Sequence, residues 1–111
     1  MTAAFNRNIL EVINRRLDAD FDTAAFEHVA YYDEDASRIE TYLRPETAQR
    51  VHLKEIDLDV AFAAGEMIRT EVSCKYTRGS VESILDRAGL RLEHWFTDEA
   101  ESFALSLSRP V

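Results

Sequence analysis

The 111-residue sequence has few of the residues that define several common kinds of site. It contains one cysteine, Cys74, so it can form no internal disulfide and no metal site built from several cysteines. Its three glycines, Gly65, Gly79 and Gly89, are far apart and form no glycine-rich strand-to-helix turn of the kind that holds a nucleotide-like cofactor. We therefore expect this chain to hold no complete cofactor site and no multi-cysteine metal centre.

Long apolar runs and an excess of basic residues are also missing. No apolar stretch approaches the roughly 18 residues of a membrane span, and residues 1–7 lack the charged-then-apolar layout of a secretory signal. The 13 Lys and Arg are scattered among 21 Asp and Glu, which gives a net charge of -8 and disfavours binding to nucleic acid. We expect a soluble, cytoplasmic protein with neither a membrane nor a nucleic acid as its partner.

The periodicity of what is present predicts an α+β fold. Apolar residues at three- and four-residue steps predict an amphipathic helix over residues 5–17, capped by Thr2. A short helix over 23–27 follows, and from residue 28 the period changes to two, which predicts an antiparallel meander. The apolar face of the first helix is predicted to comprise Phe5, Ile9, Val12, Ile13 and Leu17, and the strands to cover 28–32, 37–43, 49–53, 56–62 and 67–76.

The C-terminal third predicts a second helix and a hairpin. Ser80 has the character of a helix cap, and Gly89 marks the helix end. Residues 90–96 and 102–108 then alternate as two strands around an acidic turn. One face of the first of these strands is predicted to carry Leu90, Leu92, His94 and Phe96.

Residues 67–76 combine β-branched residues with two polar side chains that an extended chain would place together. In a strand, Ile68, Thr70, Val72 and Cys74 point one way, whereas Arg69, Glu71, Ser73 and Lys75 point the other. Spacing alone leaves two interpretations open: a half-exposed strand with a charged outer face, or a joint polar site at Glu71 and Ser73. On the first face, Cys74 is predicted to be a small core residue.

The run GEMIRTEVSCKY at residues 65–76 resembles the C-terminal motif of the S-adenosylmethionine-dependent, histidine-specific methyltransferases of the ergothioneine pathway. Further matching stretches fall in the family's order and approximate spacing, at residues 5–10, 13–15, 19–22, 26–28, 39–40 and 88–90. The resemblance thus runs nearly end to end. Family proteins are longer and carry their cofactor-binding half upstream, so the chain resembles their C-terminal part.

The resemblance implies a set of site residues. In the family, the residues corresponding to Glu71 and Ser73 recognise the imidazole of the substrate histidine, and a helix start corresponding to Thr2, Phe5 and Asn6 lies near the substrate pocket. Thr41 stands where the family commonly has a methionine packed beside the substrate, which leaves the exact substrate open. S-adenosylmethionine is the cofactor of the full-length family; we expect no cofactor-binding residue and no catalytic residue in this chain.

Two functional hypotheses follow. In the first, residues 1–76 are the substrate-binding part of a histidine Nα-methyltransferase-like enzyme, with histidine or a related amino acid as ligand. Residues 77–111 would complete the missing sheet of a Rossmann-like methyltransferase, and the chain alone would transfer no methyl group. In the second, the chain is a free-standing small-molecule binding module or a structural dimer that lacks the cofactor domain.

The remaining expectations concern metals and assembly. His28, His52 and His94 lie on separate predicted elements without a carboxylate or cysteine at ligand spacing, so no metal site is expected. The apolar face of the final hairpin would leave an unpaired hydrophobic edge. We therefore expect a homo-oligomer, or a complex with a cofactor-binding domain. The residues predicted at the contact are Leu92, Phe96, Phe103 and Leu105.

Overall fold

A computed structural model describes residues 2–111 and has the predicted α+β fold. Two single 3-10 turns connect the elements, Thr23–Ala25 before the first strand and Lys54–Ile56 between the third and fourth strands. Neither α-helix of the described residues has the length and hydropathy of a membrane span. The regular elements are α1 (Thr2–Leu17), β1 (Phe26–Asp33), β2 (Arg38–Pro45), β3 (Gln49–Leu53), β4 (Leu58–Phe62), β5 (Ile68–Cys74), α2 (Arg78–Arg87), β6 (Leu90–Thr97) and β7 (Ala104–Pro110).

The chain divides into two compact units, Met1–Cys74 and Lys75–Val111. The first unit contains α1 and strands β1 to β5, and the second contains α2 and the β6–β7 hairpin. The candidate site described below lies entirely within the first unit.

The predicted simple meander is wrong, because β5 pairs with β2. Strands β1, β2 and β5 form one antiparallel sheet in that order, and β3 and β4 form a separate two-stranded sheet. The return to the first sheet is fixed at Gly65, whose φ of 81° suits glycine and whose N–H donates to the Pro45 carbonyl at 2.9 Å. Strand β5 pairs with the edge of β2 that β1 leaves open, so the backbone N–H and C=O groups on that edge are hydrogen-bonded. Alternation along the sequence cannot reveal this pairing.

Helix α1 turns a different face to the sheet from the one its apolar residues predicted. Asn6 and Leu10 are its buried residues, whereas Phe5 is 76% exposed and Ile9 is 42% exposed. Leu10 packs with Phe26 and Leu43 at the centre of the core. The predicted face is wrong because Asn6 finds enough hydrogen-bond partners beneath the helix to be buried at little cost. Thr2, predicted as the cap, is already a helical residue.

Aromatic packing closes the core beyond the helix. Phe21, Phe26 and Phe62 contact one another, with ring centroids 5.9–6.2 Å apart. Asn14 fixes the loop that carries Phe21, since its side-chain amide donates to the Phe21 carbonyl and accepts from the Phe21 N–H, both at 2.9 Å. A polar residue of α1 thus positions an apolar one.

The second unit departs from prediction at two places. Thr77 is the cap of α2, and Ser80, three residues later, is its capping-box partner. The Thr77 hydroxyl accepts from the Ser80 N–H, and the Ser80 hydroxyl accepts from the Thr77 N–H.

In β6, Glu93 has no partner in the register, which places Leu92 and Phe96 on opposite faces of the hairpin. The predicted common face of Leu90, Leu92, His94 and Phe96 is therefore wrong.

The sheet face opposite α1 carries a buried carboxylate. Glu40 is 5% exposed and accepts hydrogen bonds from the Tyr42 hydroxyl, from Arg38 Nε at 2.9 Å and from the Tyr31 hydroxyl at 3.2 Å. The rings of Tyr31 and Tyr42 are stacked with centroids 5.6 Å apart. The hydrogen bond from Tyr42 is the largest cause that lowers the pKa of the Glu40 carboxyl, and the hydrogen bond from Arg38 is the second. The same bond between Tyr42 and Glu40 raises the pKa of the Tyr42 phenol.

Glu40 should make the stability of the protein depend on pH. A lowered pKa means that the folded state binds this proton more weakly than the unfolded chain does. The stabilisation is therefore present above the unfolded pKa of about 4.3 and is lost as the pH falls toward the lower folded value. We expect Glu40→Gln to flatten the decrease in unfolding free energy between about pH 5 and pH 3, measured by urea denaturation. Glu27→Gln, which removes a half-exposed ion pair with Arg44, is the control and should keep the wild-type slope. An unchanged slope in Glu40→Gln would contradict this role.

A candidate substrate recess between helix α1 and strand β5

A small open recess lies where the start of α1 passes over β5. It is lined by Phe5, Asn6, Ile9, Thr70 and Glu71, and its volume is about 60 Å³. Ligand pockets that enclose a whole small molecule usually measure about 300–1,000 Å³. The recess thus encloses about as much space as one small group of a ligand, such as a five-membered ring, needs, and the rest of a ligand would extend out of it.

A β-bulge brings two consecutive residues of β5 into this recess. Glu71 lies opposite Thr41 and Arg69 lies opposite Tyr42, so Thr70 between them has no partner in the register. The extra residue shifts the alternation by one, and Thr70 and Glu71 therefore line the same recess. Strict alternation, which predicted these two residues on opposite faces, is wrong here.

The shift also explains the exposure of the end of β5. After the bulge, Glu71 and Ser73 lie on the sheet face that carries Thr41 and α1, while Val72 and Cys74 lie on the other face. Val72 and Cys74 are both exposed. The prediction that Cys74 is a core residue is therefore wrong.

Asn6 ties the helix to all three strands of the sheet beneath it. Its Nδ2 donates to the Tyr42 carbonyl of β2 at 3.0 Å and lies 2.8 Å from Nδ1 of His28 on β1. Its Oδ1 accepts from the Thr70 hydroxyl of β5 at 2.6 Å. Asn6 is 6% exposed, so its polar atoms are committed to the protein and only its flank borders the recess.

The recess combines an apolar wall with one carboxylate. Phe5 and Ile9 are four residues apart on α1 and stand on one side of the helix. The Glu71 carboxylate is exposed at the opposite side. This arrangement suits a flat, partly apolar group that carries an N–H donor, because the ring can pack on the wall while the N–H bonds the carboxylate with charge assistance.

Three of the six predicted site residues line the recess together: Phe5, Asn6 and Glu71. Thr41 is buried and directly opposite Glu71 in the register, but it lies beneath the recess lining. Ser73 is half-buried two residues beyond Glu71 on the same face, and Thr2 is exposed one turn before Asn6. None of these three residues is part of the recess lining.

The sequence interpretation missed two lining residues, Ile9 and Thr70. Ile9 was assigned to the core, although its spacing of four residues from Phe5 places both on one helix side whether that side is buried or not. Thr70 was assigned to the opposite strand face because no feature of the sequence marks the bulge. Its hydroxyl contacts with Asn6 and with the Thr41 carbonyl, at 2.6 and 3.1 Å, hold the extra residue in place.

Outside the recess, the histidines are separated in the fold. His28 contacts Asn6, His52 Nδ1 lies 2.8 Å from Asp59 on β4, and His94 stacks on Phe96. Among residues 2–111, no three His, Cys, Asp or Glu side chains converge to form a potential metal site.

Over residues 1–110, the chain matches the family described as histidine-specific methyltransferase, SAM-dependent. A match over nearly the whole sequence shows that the chain belongs to the histidine-specific, S-adenosylmethionine-dependent methyltransferases. The resemblance identified from its motifs is thereby confirmed.

Individual relatives agree with this assignment. The chain is 56% identical over 108 residues to the histidine N-alpha-methyltransferase of Mycolicibacterium smegmatis and 52% identical over 108 residues to that of Mycobacterium tuberculosis. Both matches cover 97% of this chain and 34% of the relative. The L-tryptophan methyltransferase trpM of Psilocybe serbica is 30% identical over 104 residues, which are 90% of this chain and 29% of that protein. The chain thus spans about a third of the length of the curated relatives it matches.

The glycines of the described residues do not form the cradle that S-adenosylmethionine, the cofactor of the family, would need. A cofactor cradle needs glycines at a strand-to-helix turn, where the backbone approaches the ligand too closely for a side chain. Gly79 is near the start of α2, but a Cβ there would meet only the Thr77 hydroxyl at 3.9 Å, an ordinary contact. Gly65 and Gly89 lie in turns with open space around them and are explained by their positive φ angles. None of the three glycines therefore has the surroundings of a cofactor cradle.

The hydrogen bonds of Asn6 should dominate the stability of the first unit. Asn6→Ala would leave the His28 nitrogen, the Tyr42 carbonyl and the Thr70 hydroxyl with fewer partners in a buried site, at a cost of about 1–3 kcal/mol. Asn8→Ala, an exposed change on the same helix, should stay within about 0.5 kcal/mol of wild type. Urea denaturation of both variants measures the difference, and equal stabilities would contradict this role of Asn6.

Proposed function

We propose that this chain is the substrate-recognition part of a histidine Nα-methyltransferase-like enzyme, in which Glu71 accepts a hydrogen bond from the imidazole of L-histidine. One observation carries the proposal: Glu71 and the exposed apolar wall of Phe5 and Ile9 form the same small recess. Relatives named histidine N-alpha-methyltransferase share more than half of their residues with this chain over the matched region. In this proposal, the imidazole packs on the wall and its N–H bonds Glu71.

Glu71 would provide both affinity and selectivity. A carboxylate accepts an N–H hydrogen bond with charge assistance, and a ligand that covers the exposed Glu71 carboxylate without offering a donor would leave that carboxylate unsatisfied. Ser73, on the same sheet face, would add a neutral polar contact to the ligand. We propose that Thr2, near the start of α1, and Thr41, opposite Glu71 in the register, limit the size of the group that enters the recess.

The volume of the recess favours histidine over tryptophan. A relative named for L-tryptophan methyl transfer shows that a similar chain occurs with a larger aromatic substrate. A space of about 60 Å³ suits the five-membered imidazole, whereas an indole adds a fused six-membered ring. We therefore propose histidine as the ligand and expect L-tryptophan to bind more weakly.

Methyl transfer would need groups beyond residues 2–111. S-adenosylmethionine supplies the methyl group in the family, and the surroundings of the three glycines support the proposal that its binding residues lie elsewhere. The proposed contribution of this chain is to bind and orient the imidazole. We expect no turnover by the chain alone with S-adenosylmethionine and L-histidine, and we place no catalytic residue in it.

The two proposed polar contacts should differ in strength. Loss of the charge in Glu71→Gln should weaken L-histidine binding by about 1.5–3 kcal/mol, while Ser73→Ala should cost about 1 kcal/mol. Glu66→Gln removes an exposed carboxylate in the turn before β5 and is the matched charge control, with no expected effect. Isothermal titration calorimetry with L-histidine measures all three. Equal losses in Glu71→Gln and Ser73→Ala would rule out Glu71 as the anchor.

The second unit is proposed to make the assembly contact. After the bulge at Glu93, Phe96, Leu105 and Leu107 share one face of the hairpin, and each is at least half exposed, Leu105 at 67%. Leu92, predicted at the same contact, lies on the other face and is half-buried. Phe103, just before β7, is also exposed. An apolar face of this kind needs a cover, which we propose is a second copy or a cofactor-binding domain.

A charge on this face should separate the copies. For the purified chain, we expect light scattering coupled to size-exclusion chromatography to give a dimer or larger species at micromolar concentration, and Leu105→Glu to shift it toward the monomer mass. Ile56→Glu changes an exposed apolar residue of the first unit and should leave the mass unaffected. A wild-type monomer would exclude self-association and would leave a cofactor-binding domain as the proposed cover.

A further inference from the structure

We propose that His28 is a positioning residue: its unprotonated Nδ1 accepts a hydrogen bond from Asn6 and so helps to hold the orientation of Asn6 and, through Thr70, the position of the bulge that carries Glu71. The binding consequence rests on the proposed function of Glu71, whereas the structural coupling does not. His28 has no contact with the recess itself, since it lies on β1 and the recess lies between α1 and β5.

The orientation of the Asn6 amide is determined by its surroundings. The Tyr42 carbonyl, 3.0 Å away, can only accept, so the atom that faces it must be the donor Nδ2. The opposite atom is then Oδ1, which accepts from the Thr70 hydroxyl at 2.6 Å. A flipped amide would set two oxygens against each other at Tyr42.

This orientation determines the state of His28. Nδ2 has two hydrogens, one directed at the Tyr42 carbonyl and the other at Nδ1 of His28, 2.8 Å away. Nδ1 must therefore accept, which requires a neutral ring with its proton on Nε2. A protonated imidazole carries hydrogens on both nitrogens. The Asn6 bond and a proton on Nδ1 are thus mutually exclusive.

The same hydrogen bonds connect His28 to the bulge. If Asn6 turns away from a protonated ring, Oδ1 no longer faces the Thr70 hydroxyl. That hydroxyl already has an alternative acceptor, the Thr41 carbonyl at 3.1 Å. Because Thr70 has no partner in the strand register, these side-chain bonds fix its position, and Glu71 follows it in the chain.

Two charged groups lie on the elements beside β1 on this side of the sheet, Arg7 on α1 and Glu71 on β5. From α1, Arg7 reaches β1 with its Nε donating to the Phe26 carbonyl at 3.0 Å, and it stays charged throughout the relevant pH range. From β5, the carboxylate on this side of the sheet is Glu71.

Strand β2 and the other sheet face complete the surroundings of His28. His28 lies opposite Leu43, and the residues of β2 on this face do not titrate. Those residues are Thr41, Leu43 and Pro45. Glu27 and Arg44 pair with each other on the opposite face at 2.7 Å.

Nitrogen NMR of the labelled chain tests the coupling without any ligand. In the folded chain, the Nδ1 signal of His28 should be that of an unprotonated nitrogen that accepts a hydrogen bond. As the pH is lowered, the Asn6 side-chain amide and the backbone amides of Thr70 and Glu71 should shift together with the signals of the His28 ring. His28→Asn offers a non-titrating acceptor near the Nδ1 position and should abolish those shifts. His52→Asn, which alters the contact with Asp59, should leave them intact.

Either of two results would overturn the proposal. One is a neutral His28 that carries its proton on Nδ1. The other is that the signals of Asn6, Thr70 and Glu71 do not change together with the signals of the His28 ring, or that they shift equally in His28→Asn.

Binding supplies a second readout. On acidification, the affinity for L-histidine should fall in both proteins, and the fall should be roughly two- to tenfold larger in wild type than in His28→Asn. This factor corresponds to the net free energy of one hydrogen bond. The ligand also titrates, but equally for both proteins, so the comparison isolates His28. Equal pH dependence in the two proteins would refute the effect on binding. If neither protein binds L-histidine at any pH, the proposed function fails, and the ligand-free NMR experiment still decides the coupling.

Discussion

The arrangement of the first unit depends on one buried amide. Asn6 can lie beneath α1 only because each of its hydrogen-bonding atoms finds a partner, one on each of three strands. That requirement fixes the rotation of the helix on the sheet. With Asn6 and Leu10 directed inward, Phe5 and Ile9 must face outward, where they form the apolar wall beside Glu71. The recess is therefore a consequence of how a polar residue is buried.

Much of the fold could be predicted because it depends on local signals. The two-residue period identified the hairpins, and the spacing of apolar residues identified both helices. What failed depends on contacts between distant residues. The pairing of β5 with β2 is invisible to periodicity, and the bulges at Thr70 and Glu93 each shift a strand by one residue without a sequence signal. The inward face of α1 was misassigned because apolar residues were assumed to face the core.

The candidate site was predictable only through family resemblance. Composition and spacing favoured a charged strand face over a joint polar site, whereas the resemblance selected Glu71 and linked it to residues at the start of α1. Phe5, Asn6 and Glu71 do come together in the fold, and family membership is established by the match over residues 1–110. The resemblance did not distinguish Asn6, whose polar atoms bond the protein, from residues able to contact a ligand.

The central claim is that α1 and the bulged strand together form an imidazole site, and its most direct test is the location of L-histidine on the chain. Nuclear Overhauser contacts between the imidazole protons of bound L-histidine and an isotope-labelled chain would provide that location. The account predicts contacts to the ring of Phe5 and to the methyl groups of Ile9, with none to the β6–β7 hairpin. Contacts that map to the hairpin, or to the tyrosine face around Glu40, would contradict it.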